Sequence, residues 1–263
     1  MKLIFFISIY MFISIEISAQ GQTSNGQKTS NIMNPGSVNK NGKIGSTKVL
    51  NKFGGEISLV AFTCGNVLIV GHRYSQGIAP VSKTVSYGTV TSSLSGASKC
   101  WITQNFGSDQ QATSATDASD ASAGWYWQFN RKNAYSNIAA TTSPVWTITS
   151  ISESSAWFAA NDPCTLELGA GWRIPTQTEW SNADVFGGWN NYTQTYSSVF
   201  KLHASGYLNS SNGVLTNRGS NGYYWSSTQN NTTTGFGLYF KSNSSSVSSY
   251  NKAFGYSLRC IKD

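Results

Sequence analysis

Few residues in this chain can do covalent or metal chemistry. There are four cysteines, Cys64, Cys100, Cys164 and Cys260, and two histidines, His72 and His203. No cysteine pair has CxxC spacing, which disfavours a zinc knuckle or a thioredoxin-type redox site. Neither histidine has a Cys, His or carboxylate at metal-ligand spacing along the chain. His203 alternates with apolar neighbours in Lys201-Leu202-His203-Ala204 and reads as a strand residue. The acids of the second half, Glu153, Asp162, Glu167, Glu179, Asp184 and Asp263, are spread apart, whereas calcium asks for six to eight oxygens. Asp162/Glu167 and Glu179/Asp184 are close in sequence and read as helix-end charges rather than the paired carboxylates of glycoside hydrolysis. There is no Gly-x-Ser-x-Gly elbow, and Gly235-Phe236-Gly237 lacks the rest of a nucleotide fingerprint. These residues point to a protein that is not an enzyme and has no metal site and no cofactor.

The chemistry that remains is recognition. Asn, Ser, Thr and Tyr supply hydrogen bonds and rigid aromatic area without charge, as antibody loops do. Three segments concentrate them: Gly188–Tyr192, Gln229–Thr234 and Asn243–Asn251. The candidate ligand-binding residues are Trp189, Asn191, Tyr192, Asn230, Asn231, Tyr250 and Asn251. Trp189 and Tyr250, if exposed, are the aromatic anchors.

The elements that must hold these loops can be read from the pattern. Apolar β-branched runs at 57–62 and 67–70 flank Cys64-Gly65-Asn66 and predict strand, turn, strand. Val81–Tyr87 alternates with period two. Cys100–Thr103, Trp125–Phe129, Tyr223–Thr228, Gly235–Lys241 and Tyr256–Ile261 read as further strands. Residues 107–123 read as a long surface loop, and 229–234 and 242–251 as loops between strands. Two helices are expected. The first starts at an N-cap on Ser152 and runs to Gly169, with Pro163 at a kink. The second follows a Thr176-x-x-Glu179 capping box and ends at Gly187-Gly188.

The N-terminus sets the compartment. Lys2, an apolar run from Leu3 to Ile15 and small residues to Ala19 match a secretory signal peptide, residues 1–19. The run is too short to span a membrane, so no membrane span is expected after cleavage. Residues 20–50 read as a flexible polar tail, and 51–263 as one domain. An even number of cysteines in an exported chain suggests two disulfides, and four cysteines allow three pairings. Only 11% of residues are charged, and the net charge of +7 comes from 18 basic and 11 acidic residues. No Lys/Arg stripe tracks a phosphate backbone, so no nucleic acid is expected as partner.

The ordered landmarks Cys100–Gly107, Gly124–Trp127, Gly171–Trp180, Gly222–Thr228 and Ser257–Cys260 resemble the Fibrobacter succinogenes major paralogous domain, over about residues 60–263. That family is a group of bacterial C-type lectin-like folds related to formylglycine-generating enzymes. The resemblance implies an α+β domain of two helices, a small twisted antiparallel sheet and long irregular loops. It implies that Cys164 pairs with Cys260 and Cys64 with Cys100, and that Trp101, Trp172 and Trp225 are core aromatics. It also implies ligand binding at the loops of the last sheet. The calcium tripeptides of sugar-binding C-type lectins, Glu-Pro-Asn or Gln-Pro-Asp and Trp-Asn-Asp, do not occur here. With every cysteine in a disulfide, no thiolate remains for the chemistry of the enzymes. The expectation is therefore a secreted or cell-surface binding module, an adhesin for a glycan or protein ligand. The alternative is a structural or docking component of the bacterial cell envelope.

Overall fold

The computed structural model describes residues 48–50, 56–58 and 62–263. The expected signal peptide, residues 20–47 of the expected tail and residues 59–61 of the 57–62 run lie outside the described residues. Strands β1 (Lys48–Leu50) and β2 (Glu56–Ser58) pair antiparallel with each other. The chain from Phe62 to Asp263 forms a separate compact unit.

That unit is α+β, with short helices and several small antiparallel sheets. A hairpin of β3 (Leu68–His72) and β4 (Lys83–Tyr87) leads to β5 (Thr89–Ser92) and β6 (Lys99–Ile102). Helix α1 (Asp120–Ala123) precedes the small sheet of β7 (Tyr126–Trp127), β8 (Ala134–Ile138) and β9 (Thr141–Ser143). Then come α2 (Pro163–Leu168), β10 (Trp172–Arg173), α3 (Gln177–Gly187) and α4 (Tyr192–Ser197). The pair β11 (Tyr207–Leu208) and β12 (Leu215–Thr216) leads to a meander of β13 (Gly222–Gln229), β14 (Thr234–Lys241) and β15 (Ser244–Asn251). The final strand β16 (Ile261–Lys262) inserts between β10 and β6.

Both disulfides have the implied pairing, Cys64–Cys100 and Cys164–Cys260. They close loops of 36 and 96 residues. The chain-entropy estimate for such loops is about 4 and 5 kcal/mol, comparable with a domain's whole net stability. Disulfides of this kind indicate an extracellular or periplasmic protein. Among the described residues no helix is long and apolar enough to cross a membrane.

Large aromatics build the core. Trp101, Trp172 and Trp225 are buried in it. Arg259 is 1% exposed, and among the described residues no carboxylate pairs with its guanidinium. It donates to Asn105 Oδ1 at 3.1 Å and to the carbonyls of Ile102, Phe200 and Lys201 at 3.3, 2.9 and 2.9 Å. Burial pushes its pKa down to about 10.

Helix α3 follows the sequence. Thr176 caps it, the Glu179 side chain completes the capping box, and Gly188 ends it in a left-handed conformation. The first helix does not. It begins only at Pro163, whose missing N–H costs nothing at the first helical position. Its cap is Asp162, which accepts from Cys164 N and Thr165 N, while its other oxygen accepts from Ile174 N. Residues from Ser152 to Phe158 lie outside any helix because other strands and loops take their backbone: Glu153 N donates to Thr232 O and Trp157 N to Ser227 O. Residues 242–251 are not a loop either. A two-residue turn, Ser242-Asn243, folds β15 back on β14 in unbroken register from Lys241↔Ser244 to Thr234↔Asn251. The 107–123 segment is partly interior, with Ser108, Ala112, Ser122 and Ala123 buried.

Candidate functional site

The site grows from the register of the last meander. Alternation along β13 sends Tyr223 and Trp225 to one face and Tyr224 to the other. The register places Tyr239 opposite Tyr223, and Gly235 opposite Tyr250. One face of the sheet therefore carries Tyr223, Tyr239 and Tyr250, with Gly237, Ser246 and Ser248 between them. The other face carries Tyr224, Leu238, Phe240 and Val247, which pack with Trp180 of α3 in one core cluster. Gly235 is required where it stands, because a Cβ there would come within 2.4 Å of the Phe129 ring.

Two further aromatics complete the patch. Tyr207 meets Tyr223 edge-on, with centroids 4.8 Å apart, and Phe254 at 5.3 Å. Tyr256 is fully buried beneath them, 5.0 Å from Tyr223 and 5.4 Å from Tyr250. Tyr207, Tyr223, Tyr239, Tyr250 and Phe254 are each half-buried, with part of each ring facing solvent. Each ring braces the next, so the face is rigid and its side-chain entropy is already lost. Asn221 Nδ2 donates to the hydroxyls of Tyr223 and Tyr239 at 3.3 and 3.5 Å. Burial raises the phenol pKa values of Tyr223, Tyr239 and Tyr250, that of Tyr250 to about 12, so these three hydroxyls stay neutral donors and acceptors. Lys252, the residue after β15, is turned inward and donates to Glu153 O, Ser155 O and Gln229 Oε1. The result is an aromatic platform with hydroxyls on it, and alternation puts Lys241 on the same face, at the end of β14 beyond Tyr239.

The structure does not bring the expected residues together. Tyr250 lies on the tyrosine face. Trp189 is a correction: it is 4% exposed and packs edge-on against Phe200 at 6.0 Å, so it is core and not an anchor. Gly187 explains its seat, since a Cβ there would meet the indole at 2.4 Å. Tyr192 packs against the same cluster, on the opposite side of the sheet from Tyr250. Asn191 caps α4 by accepting from Gln194 N. Asn230 and Asn231 are exposed at the β13–β14 turn. Asn231 Oδ1 accepts from Thr233 N and Thr234 N, and Asn230 Nδ2 donates to Thr234 Oγ1. Asn251 Oδ1 accepts from Ala253 N. These asparagines shape turns, and their other amide groups are what remains for a ligand. Sequence reading missed Tyr207, Tyr223, Tyr239 and Phe254. The signal for Tyr223 and Tyr239 was present in the alternation of their strands.

The histidines also differ from expectation. His72 does have a carboxylate beside it, brought from 95 residues away: Nδ1 lies 2.9 Å from Glu167 Oε2. Its Nε2 lies 2.7 Å from Tyr87 OH, which accepts from Gly107 N. In the tautomer with the proton on Nδ1, Nδ1–H donates to Glu167 and the Tyr87 hydroxyl donates to Nε2. Both the imidazole and the carboxylate are closed to solvent, and the set ties α2 to the β3–β4 hairpin. His203 is not in a strand. It is fully buried, with neither ring nitrogen hydrogen-bonded, and burial pushes its pKa down to about 3. Among the described residues no three His, Cys, Asp or Glu side chains gather as metal ligands would.

No curated protein and no solved structure matches the chain. Residues 188–261 match a family model described as Domain of unknown function (DUF8237), and that stretch carries every ring of the tyrosine face.

Proposed function

We propose that this protein is a secreted or surface-displayed, non-catalytic binding module of the C-type lectin-like kind, and that it takes a glycan on the tyrosine face. The observation that carries this reading is the half-buried platform of five aromatic rings, Tyr207, Tyr223, Tyr239, Tyr250 and Phe254. Sugar rings lay C–H groups on aromatic faces, and neutral phenols then meet their hydroxyls. Large braced aromatics with polar tips are the usual anchors of recognition surfaces. Turn asparagines at 230, 231 and 251 supply amide groups at the ends of the strands that carry the face. A peptide with apolar and neutral polar side chains would use the same surface.

The test is a glycan array probed with the purified protein, once with calcium and once with chelator. Binding that survives chelation and disappears in Tyr239→Ala and Tyr250→Ala supports the reading. Binding that is unchanged in both variants places the site elsewhere.

A second reading, a docking component of the cell envelope, is favoured by the outer side of the β3–β4 hairpin. Val67, Ile69 and Tyr74 are 60%, 70% and 66% exposed there, and exposed apolar clusters mark contact surfaces.

A further inference from the structure

Among the described residues the outer edge of β15 has no partner strand. The wide pair Thr234↔Asn251 is fixed by Lys252 N donating to Thr233 O. Alternation from that pair turns the backbone N–H and C=O of Ser245, Val247 and Ser249 away from β14. Among the described residues no backbone hydrogen bond reaches those groups. Natural sheets guard such an edge with a charge, a proline, a bulge or brevity. This strand runs eight residues, Ser-Ser-Ser-Val-Ser-Ser-Tyr-Asn, with none of the first two and no shift in register.

We propose that β15 pairs with the β15 of a second copy of this chain, antiparallel about a two-fold axis through Val247. Three observations select that occupant. The strand is nearly palindromic about Val247, so self-pairing sets Ser246 against Ser248 and Ser245 against Ser249, and the larger Tyr250 against the small Ser244. The strand itself carries no charged side chain, so a copy paired to it sets no like charges opposite one another. The register also satisfies the outward groups of these three residues at once: Val247 bonds its own counterpart, and Ser245 and Ser249 bond each other. Beside this edge, Ser245 donates to Asp184 of α3, and the next two residues, Val185 and Phe186, stand 72% and 61% exposed. They extend the apolar part of the contact on the helix side of the sheet. The axis is perpendicular to the sheet, so the two tyrosine faces point the same way. The pairing rests on the strand edge alone and holds whatever the tyrosine face binds.

The test is sedimentation velocity of the full protein over a wide concentration range, with two variants. Ser249→Pro removes an outward N–H and leaves the bonds to β14 intact, as prolines do on edge strands. Ser246→Lys with Ser248→Lys sets lysine opposite lysine in the pair. The expected result is a two-chain species for the wild type and a single-chain species for both variants, with far-ultraviolet circular dichroism and melting midpoint unchanged. A wild type that stays a single chain at about 100 μM, well above the dissociation constant of a micromolar dimer, overturns the proposal. A two-chain species that persists in both folded variants also overturns it.

Discussion

Replacing Arg259 with methionine isolates what a buried, unpaired guanidinium contributes. Methionine matches its length and removes the charge, so the desolvation cost of the cation disappears with it. What is left behind is a set of dry acceptors. The carbonyls of Phe200 and Lys201 lose their donors at 2.9 Å, Ile102 O loses one at 3.3 Å, and Asn105 Oδ1 keeps only the Tyr224 hydroxyl at 2.9 Å. A buried acceptor without a partner costs about 1–3 kcal/mol. Two fully orphaned carbonyls and two weakened ones give about 5 kcal/mol, and the relief of desolvation returns part of that. The expected net loss is about 3 kcal/mol, or about 6–12 °C in melting midpoint for a domain of this size. Urea titration followed by tryptophan fluorescence, with disulfides intact, measures it. Arg259→Lys separates fork from charge. Lysine keeps the charge without the planar fork, and is expected to lose at least as much as methionine. A methionine variant within about 1 kcal/mol of wild type would falsify the acceptor argument. Full rescue by lysine would show that charge alone matters.

Three other perturbations have defined outcomes. Glu179 is pulled up by burial, but Arg173, the Thr176 N–H and Lys99 outweigh this and hold its pKa at about 2. Its contribution is therefore present above its unfolded pKa of about 4.3 and is lost as the pH falls from there towards 2. Acid titration of stability should show a loss of about 2 kcal/mol across that window, and Glu179→Gln should flatten it. Removing the longer crosslink with Cys164→Ala and Cys260→Ala should cost about 5 kcal/mol in denaturant melts, and an unchanged midpoint would contradict the loop-entropy argument. Gly235→Ala forces the new Cβ against Phe129. A loss of about 1–3 kcal/mol in calorimetry is expected, and no loss would mean that the ring moves freely.

What could be read in the sequence was what is local. Thr176 and Glu179 name their own helix start, because both partners of the capping box lie within one turn. Tyr223 and Trp225, or Leu238 and Phe240, declare a strand through their own alternation. Ser244–Asn251 declares nothing, because serine has no strand preference of its own. It becomes a strand because β14 offers eight residues of ladder and the turn fixes the register. The failed helix from Ser152 has the same cause in reverse: two backbone donors are taken by Thr232 and Ser227, far along the chain. At the candidate site, Tyr250 was legible as an aromatic in a polar stretch. Trp189 was misplaced because a tryptophan flanked by glycine and asparagine looks exposed until the glycine proves to be the wall of its pocket. Tyr207 carries no local mark at all, and only the fold brings it to Tyr223.

The position of β16 governs when this protein can fold at all. Residues Ile261 and Lys262 form an inner strand of their sheet, flanked by Trp101 on one side and Trp172 on the other. Strands β5 and β6 therefore emerge from the ribosome long before the strand that completes their sheet. Cys164 and Arg259's carbonyl partners wait for the same final segment. The growing chain cannot complete this sheet until Ile261 and Lys262 have been made, and the contacts that close it are of high contact order. A chain interrupted just before Tyr256 would contain the hairpins yet lack the strand, the crosslink and the guanidinium that join them.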